Sequence, residues 1–207
     1  QMMKLTFSYC CVIIIISYIG IGAMEMFDNK TTHIISIIDN YLQSIGFDTQ
    51  LLGYANIKKY PDKKALGISF APATKGNSAG IRYAILIYPT FDNTISVIRN
   101  TFESLLKQNS PRAATFNSVL NKDDKYLFIF AFMHEIGHIQ HIIDLNVDDE
   151  TFFNPLTGLN SNPQNNFNYE DYADQFSLNH IDKIYEMLNN VSSKNKYSPK
   201  YRQNRKN

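Results

Sequence analysis

The pattern of apolar and polar positions predicts one helix, then strands, then further helices. An apolar stripe at helical spacing predicts the first helix over residues 31–45, capped by Thr31 or Thr32 and ended by Gly46. Short segments rich in apolar and β-branched residues predict three strands, at 51–60, 65–71 and 81–88. Because strands and helices do not alternate strictly, this order favours an α+β fold over a doubly wound parallel sheet.

The C-terminal half is predicted to be mostly helical. Periodic apolar positions predict helices at 94–108, just after Pro111, and at 169–188. Between them, residues 127–143 are apolar nearly all round, as expected of a helix buried in a core, with Asn121 or Asp123 as its cap. A polar, asparagine-rich segment over 146–168 joins this helix to the last one and is expected to form a wall or lid.

The composition is that of one globular domain, expected over residues 24–190. The chain has 207 residues, of which 44% are hydrophobic and 19% charged. A net charge of +1 gives no reason to expect nucleic acid as a partner. Residues 191–207 carry basic but no acidic side chains and are expected to form a disordered tail.

The N-terminal residues have the layout of a secretory signal. Lys4 supplies a positive charge, residues 11–21 are almost entirely apolar, and small residues then lead to an expected cleavage site after Ala23. The alternative is an uncleaved membrane anchor, because 5–24 is about long enough to span a bilayer. The protein is therefore expected to be exported, either secreted, periplasmic or held at a membrane. Both cysteines lie within this segment, so the mature chain would hold no disulfide.

An HExxH run lies inside the buried helix and suggests a metal site. Residues four apart share one face of a helix, so His134 and His138 can direct two imidazoles at a single ion. Glu135 is placed to accept a proton from a metal-bound water. Gly137 costs a helix about 1 kcal/mol relative to alanine. Either the close approach of a strand or substrate, or a simple packing contact, would explain that glycine.

A catalytic zinc usually takes three protein ligands, so a third must come from elsewhere. Glu170 is the leading candidate, at the edge of the apolar stripe of the last helix. Asp174 follows one turn later and could accept a hydrogen bond from a ligand histidine. Asp144 is the alternative third ligand, by resemblance to the metzincin pattern, which continues HExxH with a glycine three residues on and a His or Asp three further. Those positions are held here by His141 and Asp144. The glycine lets the chain leave the helix so that the third ligand can turn back to the metal, a freedom that histidine does not readily offer. His141 is instead expected to line the cleft or pack beneath it.

Other residues are weaker candidates. His33 and His180 are expected to be ordinary surface or packing histidines. A tyrosine that stabilises an oxyanion is possible, and three candidates are left unranked: Tyr83, Tyr88 and Tyr169. The strand predicted at 81–88, if exposed, could align an extended substrate by main-chain pairing.

The two motifs together resemble the zincin metallopeptidases of the gluzincin type, which carry HExxH on one helix and ExxxD on a later one. HEIGH followed by EDYADQFS is most similar to bacterial families with an HExGH…ExxAD signature, among them antirepressor-type and secreted metallopeptidases. The resemblance covers roughly residues 128–188. It implies a zincin-like α+β fold in which a small mixed or antiparallel sheet packs on the active-site helix.

The same resemblance implies a set of residue roles. Zinc would be held by His134, His138 and Glu170, with Glu135 as general base and Asp174 bonded to a ligand histidine. The activity implied is hydrolysis of a peptide or protein substrate. The alternative is an inactive, exported zinc-binding protein that acts by binding a partner.

Overall fold

The structure, a computed structural model, describes residues 27–59, 67–73, 80–146 and 163–196, with side chains described for 169–190 of the last range. The predicted signal or anchor at 1–23 and most of the predicted wall or lid lie outside these residues. Among the helices described, none combines the length and the apolar character needed to cross a bilayer.

Helix α1 spans Asn29–Ser44, close to its predicted bounds. The predicted cap was wrong: Asp28, not a threonine, caps the helix, and its Oδ1 accepts a hydrogen bond from the backbone N–H of Thr31 at 2.8 Å. The predicted apolar stripe is buried except for its last member, Ile45, which is 44% exposed. Gly46 follows with φ of +85°, so the prediction that it ends the helix is confirmed.

Three strands form a mixed sheet in the described part of the chain. They are β1 (Leu52–Asn56), β2 (Ile68–Pro72) and β3 (Tyr83–Ile87), arranged in the order β1-β3-β2. β3 is parallel to β1 and antiparallel to β2, and all five of its residues are buried. The strand predicted at 81–88 is confirmed as β3, but its neighbours occupy both of its hydrogen-bonding edges, so it is not exposed and cannot pair with a substrate as considered above.

Four further helices are described in the rest of the chain: α2 (Phe91–Lys107), α3 (Ala113–Leu120), α4 (Asp124–Leu145) and α5 (Pro163–Lys196). Of the two predicted caps for α4, the structure uses Asp123, whose side chain accepts from the N–H of Tyr126. α5 begins before its predicted start and extends to Lys196, within the segment predicted as a tail. Residues 197–207 lie outside the described ones.

Helix α4 forms the centre of the core. Thirteen of its residues are buried, so it is apolar nearly all round as predicted. α5 packs along one side of it, and β2 contacts it from the sheet. The fold is therefore α+β, with a small mixed sheet against the helix that carries HExxH, as expected from the sequence.

Gly137 marks the point where α4 and α5 cross. A Cβ atom at this position would lie 2.8 Å from Ala173 Cα and 3.1 Å from the Ala173 carbonyl oxygen. Those distances leave no room for a methyl group between the two backbones. The glycine thus serves a helix–helix packing contact, the second of the two explanations considered above.

Candidate metal centre

The close crossing of α4 and α5 places three potential metal ligands together. One ligand atom from each of His134, His138 and Glu170 lies within 4.8 Å of the others. His134 Nε2 is 3.3 Å from Glu170 Oε2, and His138 Nε2 is 3.6 Å from Glu170 Oε1. The two histidines are 8% and 4% exposed, so the group is buried.

Helix geometry explains this convergence. His134 and His138 are four residues apart on α4 and share a face, with ring centroids 4.5 Å apart. On α5, Ala173 packs against Gly137, which lies between the two histidines in sequence. Glu170 and Asp174 flank Ala173, and both carboxylates therefore face the imidazoles.

The group has the dimensions and chemistry of a site for a divalent metal ion. Zinc–nitrogen and zinc–oxygen bonds of about 2.1 Å place the donors of a tetrahedral site about 3.4 Å apart. The two nitrogen–oxygen distances, 3.3 and 3.6 Å, lie on either side of that value. Two imidazoles and one carboxylate suit zinc but also accept other divalent ions. His134, His138 and Glu170 could therefore hold a metal ion of a kind that their geometry alone does not specify.

Asp174 lies where the sequence predicted, beside a histidine of the group. Its Oδ1 is 2.9 Å from His134 Nδ1, and its side chain is only 2% exposed. An ionised carboxylate accepts hydrogen bonds, so Nδ1 of His134 carries the proton. When His134 is otherwise neutral, the lone pair of Nε2 then faces Glu170 and is free to bind a metal.

Without a metal, the charges of the group are strongly coupled. Burial would lower the pKa of His134, but hydrogen bonds with Asp174 and Glu170 outweigh it and raise that pKa to about 9. For His138, burial and the charge on His134 hold the pKa well below its usual value. Burial would raise the pKa of Glu170, yet electrostatic interactions with His138, a hydrogen bond from His134 and the charges of His134 and Arg112 depress it. At neutral pH the metal-free group therefore pairs a protonated His134 with an ionised Glu170.

Arg112 belongs to the same cluster, although no sequence pattern predicted it there. Its Nε and Nη2 donate to the two oxygens of Asp174 at 2.7 and 2.5 Å. Its Nη1 donates to Glu170 Oε2 at 2.5 Å. The residue precedes α3, and a single arginine in a short connection between helices has no motif that would mark it.

Aromatic rings surround His138. Tyr169 stacks on its imidazole with centroids 3.8 Å apart, and Phe70 from β2 stacks on it at 5.6 Å. The Nδ1 atom of His138 is buried and has no hydrogen-bond partner among the described residues. The rings thus hold this histidine by packing, whereas a carboxylate holds His134.

Tyr169 is the one tyrosine of the three unranked candidates that stacks on a histidine of the group. Tyr83 is fully buried in β3 and packs against Phe70. Tyr88 packs beside a small cluster that includes Ala55 and Ile57. Ring stacking alone does not show that Tyr169 stabilises an oxyanion, so that role stays a prediction.

The alternative third ligand is placed elsewhere. Asp144 accepts hydrogen bonds from Gln140 at 2.7 Å and from the Tyr172 hydroxyl at 2.5 Å. His141 stacks on Tyr172 with centroids 4.2 Å apart, which confirms the prediction of a packing role. Among the described residues, the structure thus joins Glu170, and not Asp144, to the two histidines.

The remaining histidines behave as predicted. His33 is exposed, and Nδ1 of His180 is hydrogen-bonded to the Tyr41 hydroxyl at 2.7 Å, where α1 meets α5. Glu135 is half-buried on α4. Burial would lower the pKa of Arg112, but Asp174, Glu170 and Glu135 together raise it, so the charge of Glu135 acts on the same cluster.

Comparison of the chain with protein-family models, with curated proteins and with solved structures found no match. The two motifs and the geometry of the cluster are the observations on which a functional proposal can draw.

Proposed function

We propose that this protein is a zinc-dependent metallopeptidase with a zincin-like fold of the gluzincin type. The observation that carries the proposal is the buried convergence of His134, His138 and Glu170 from two helices. The bond from Asp174 to His134 adds support, because a carboxylate that orients a ligand imidazole is typical of catalytic zinc sites. Export through the N-terminal segment is part of the proposal and concerns residues outside the described ones.

A zinc ion held by His134, His138 and Glu170 would supply Lewis acidity, the chemistry that activates water and polarises the carbonyl of a scissile peptide bond. Glu135 would accept a proton from the attacking water at its carboxylate as the new C–O bond forms, and would give that proton to the amine nitrogen as the C–N bond breaks. Glu135 follows His134 directly in α4 and is only half-buried, so its carboxylate is not enclosed in the core as the two histidines are. Asp174 keeps the Nδ1 proton on His134, so that Nε2 remains a ligand.

An extended peptide is the proposed substrate, and β2 is the strand that could align it. β2 lies at the edge of the sheet in the described part of the chain. Its Phe70 contacts His138, so the edge runs beside the metal ligands. Pairing with a sheet edge fixes a substrate main chain without demanding a particular side chain.

The experiment that tests the proposal replaces the base and leaves the ligands intact. Glu135→Gln is expected to keep the zinc content of the wild type and to lose about 10²–10⁴-fold in turnover of a mixed peptide library, because proton transfer is removed. Glu103→Gln, an exposed change of the same kind on α2, is the control and should leave both quantities unchanged. Equal cleavage rates for wild type and Glu135→Gln would remove the proposed base.

The alternative function, zinc binding without hydrolysis, predicts a different result. Zinc would be retained, and the wild type would cleave no peptide in the library above the level of Glu135→Gln. Both functions require the metal site, so a wild type without zinc would contradict both. Peptide turnover by the wild type distinguishes the metallopeptidase from a protein that only binds zinc.

A further inference from the structure

One guanidinium group joins both acidic side chains that α5 brings to the candidate metal centre. Arg112 binds the two oxygens of Asp174 in a bidentate pair, at 2.7 and 2.5 Å. Its remaining terminal nitrogen donates to Glu170 Oε2, the same oxygen that lies 3.3 Å from His134 Nε2. A single side chain therefore fixes the rotamers of two carboxylates one helical turn apart.

Aromatic packing on the side away from the carboxylates holds Arg112 itself in place. Its guanidinium lies over the ring of Phe116, 4.7 Å from the centroid, and Phe116 is fully buried. Phe116 stacks on Phe102 at 4.5 Å, which connects the arginine to the core between α2 and α3. The side chain of Arg112 is only 17% exposed. Little conformational freedom remains to be lost when the cluster forms, so the carboxylates are held before a metal arrives.

The arginine also reaches the ligand histidine through a shared acceptor. Asp174 Oδ1 accepts from Arg112 Nη2 at 2.5 Å and lies 2.9 Å from His134 Nδ1. The two donor nitrogens are 3.3 Å apart, a contact that is favourable only because one carboxylate oxygen lies between them. The angle of the His134 ring thus depends on an oxygen whose position Arg112 determines.

We propose that Arg112 is a positioning residue that sets the affinity of the His134–His138–Glu170 group for its metal ion. It acts on Glu170 directly and on His134 through Asp174. This inference rests on the metal-binding part of the proposed function and does not require peptide hydrolysis.

Charge and geometry act in opposite directions at this position. A cation beside the cluster opposes the entry of a second cation, whereas its hydrogen bonds arrange the donors for that entry. Arg112→Lys separates the two effects, because lysine keeps the charge but cannot form the bidentate pair with Asp174 and the bond to Glu170 together. A change of metal affinity in this variant therefore reports on positioning.

The test is a competition titration of zinc against a chromophoric chelator, with folding of each variant verified by circular dichroism. Arg112→Lys is expected to weaken zinc binding by about 10–100-fold, the usual effect of removing a partner that orients a ligand. Arg99→Lys is the matched control, because Arg99 also makes two bonds to one carboxylate, Asp124, at 3.1 and 2.7 Å. That pair is on the surface between α2 and the start of α4, so its loss should leave zinc affinity unchanged.

A purely structural role for Arg112 would lower the melting temperature but leave the affinity of the folded protein unchanged. Coupling to Asp174 supplies a second readout. If Arg112 acts largely through Asp174, adding Arg112→Lys to Asp174→Asn should cost clearly less affinity than it costs the wild type. Equal effects in both backgrounds would contradict action through Asp174.

The outcomes distinguish this inference from the proposed function. A wild type that binds zinc, with Arg112→Lys binding it equally well, overturns the inference and leaves the metallopeptidase proposal standing. A wild type that binds no metal ion overturns both.

Discussion

The close contact between Gly137 and Ala173 predicts that Gly137→Ala destabilises the protein, whereas helix propensity alone predicts that it stabilises it. In an unconstrained helix, Gly137→Ala would stabilise by about 1 kcal/mol. Here the added Cβ would lie 2.8 Å from Ala173 Cα, whereas carbon atoms in ordinary contact are about 3.5–4.0 Å apart. The neighbour is backbone and cannot rotate away, so α5 would have to move by at least about 0.7 Å, the difference between 3.5 and 2.8 Å.

The expected cost follows from that displacement. Overpacking a tight core contact destabilises by about 1–3 kcal/mol, which offsets the gain in propensity and leaves a net loss of up to about 2 kcal/mol. Ala173 lies between Glu170 and Asp174, so the same movement shifts both carboxylates. A functional constellation tolerates about 0.5 Å of displacement, and zinc affinity is therefore expected to fall by about tenfold or more.

The assays are urea denaturation of the metal-free protein and a zinc competition titration. Asn100→Ala, on the exposed face of α2, is the control that increases helix propensity without loading the crossing, and it should be neutral or slightly stabilising. If Gly137→Ala stabilises the protein by the full propensity difference and binds zinc as the wild type does, the close crossing is not what this glycine provides.

Two further outcomes follow from the structure. Zinc should bind about tenfold more tightly for each unit by which the pH rises between 6.5 and 8.5. The pKa of metal-free His134 is raised to about 9, and its Nε2 proton must leave before a metal can bind. A zinc dissociation constant independent of pH over this range would show that His134 is already neutral. Tyr41→Phe removes the hydrogen bond to His180 and should lower the free energy of unfolding, measured by urea denaturation, by about 1 kcal/mol. Zinc affinity should stay unchanged, because that bond joins α1 to α5 outside the metal cluster. A large loss of zinc affinity would mean that the two regions are coupled.

Local periodicity was enough to predict which residues form the candidate metal centre. The spacing of His134 and His138 places both rings on one face of any helix, and Glu170 and Asp174 follow the same rule on α5. The apolar surroundings of the HExxH run indicated that its helix would be buried, which is confirmed. Gly137 predicted that another group packs closely against α4, but not which one. A helix, a strand and a substrate can each require a glycine at such a position.

Features that depend on the path of the chain were not predictable in this way. Arg112 reaches the site because α3 packs against α4, and nothing in its local sequence encodes that packing. The central place of β3 depends on its parallel pairing with β1, a contact between distant segments. The cap of α1 is Asp28 and not a threonine as predicted, and its carboxylate also accepts from the N–H of Phe91, the first residue of α2, at 2.8 Å. That second bond joins two distant segments, which local sequence does not reveal.

Metal analysis of purified variants can decide whether Glu170 or Asp144 is the third metal ligand beside His134 and His138. Wild type, Glu170→Ala and Asp144→Ala would be purified with limiting zinc and their metal content measured by mass spectrometry. One zinc ion per chain is expected in the wild type and in Asp144→Ala, and little or none in Glu170→Ala. Retention of zinc by Glu170→Ala together with its loss from Asp144→Ala would show that Asp144 is the third ligand. A wild type without any bound metal would show that these residues do not form a zinc site.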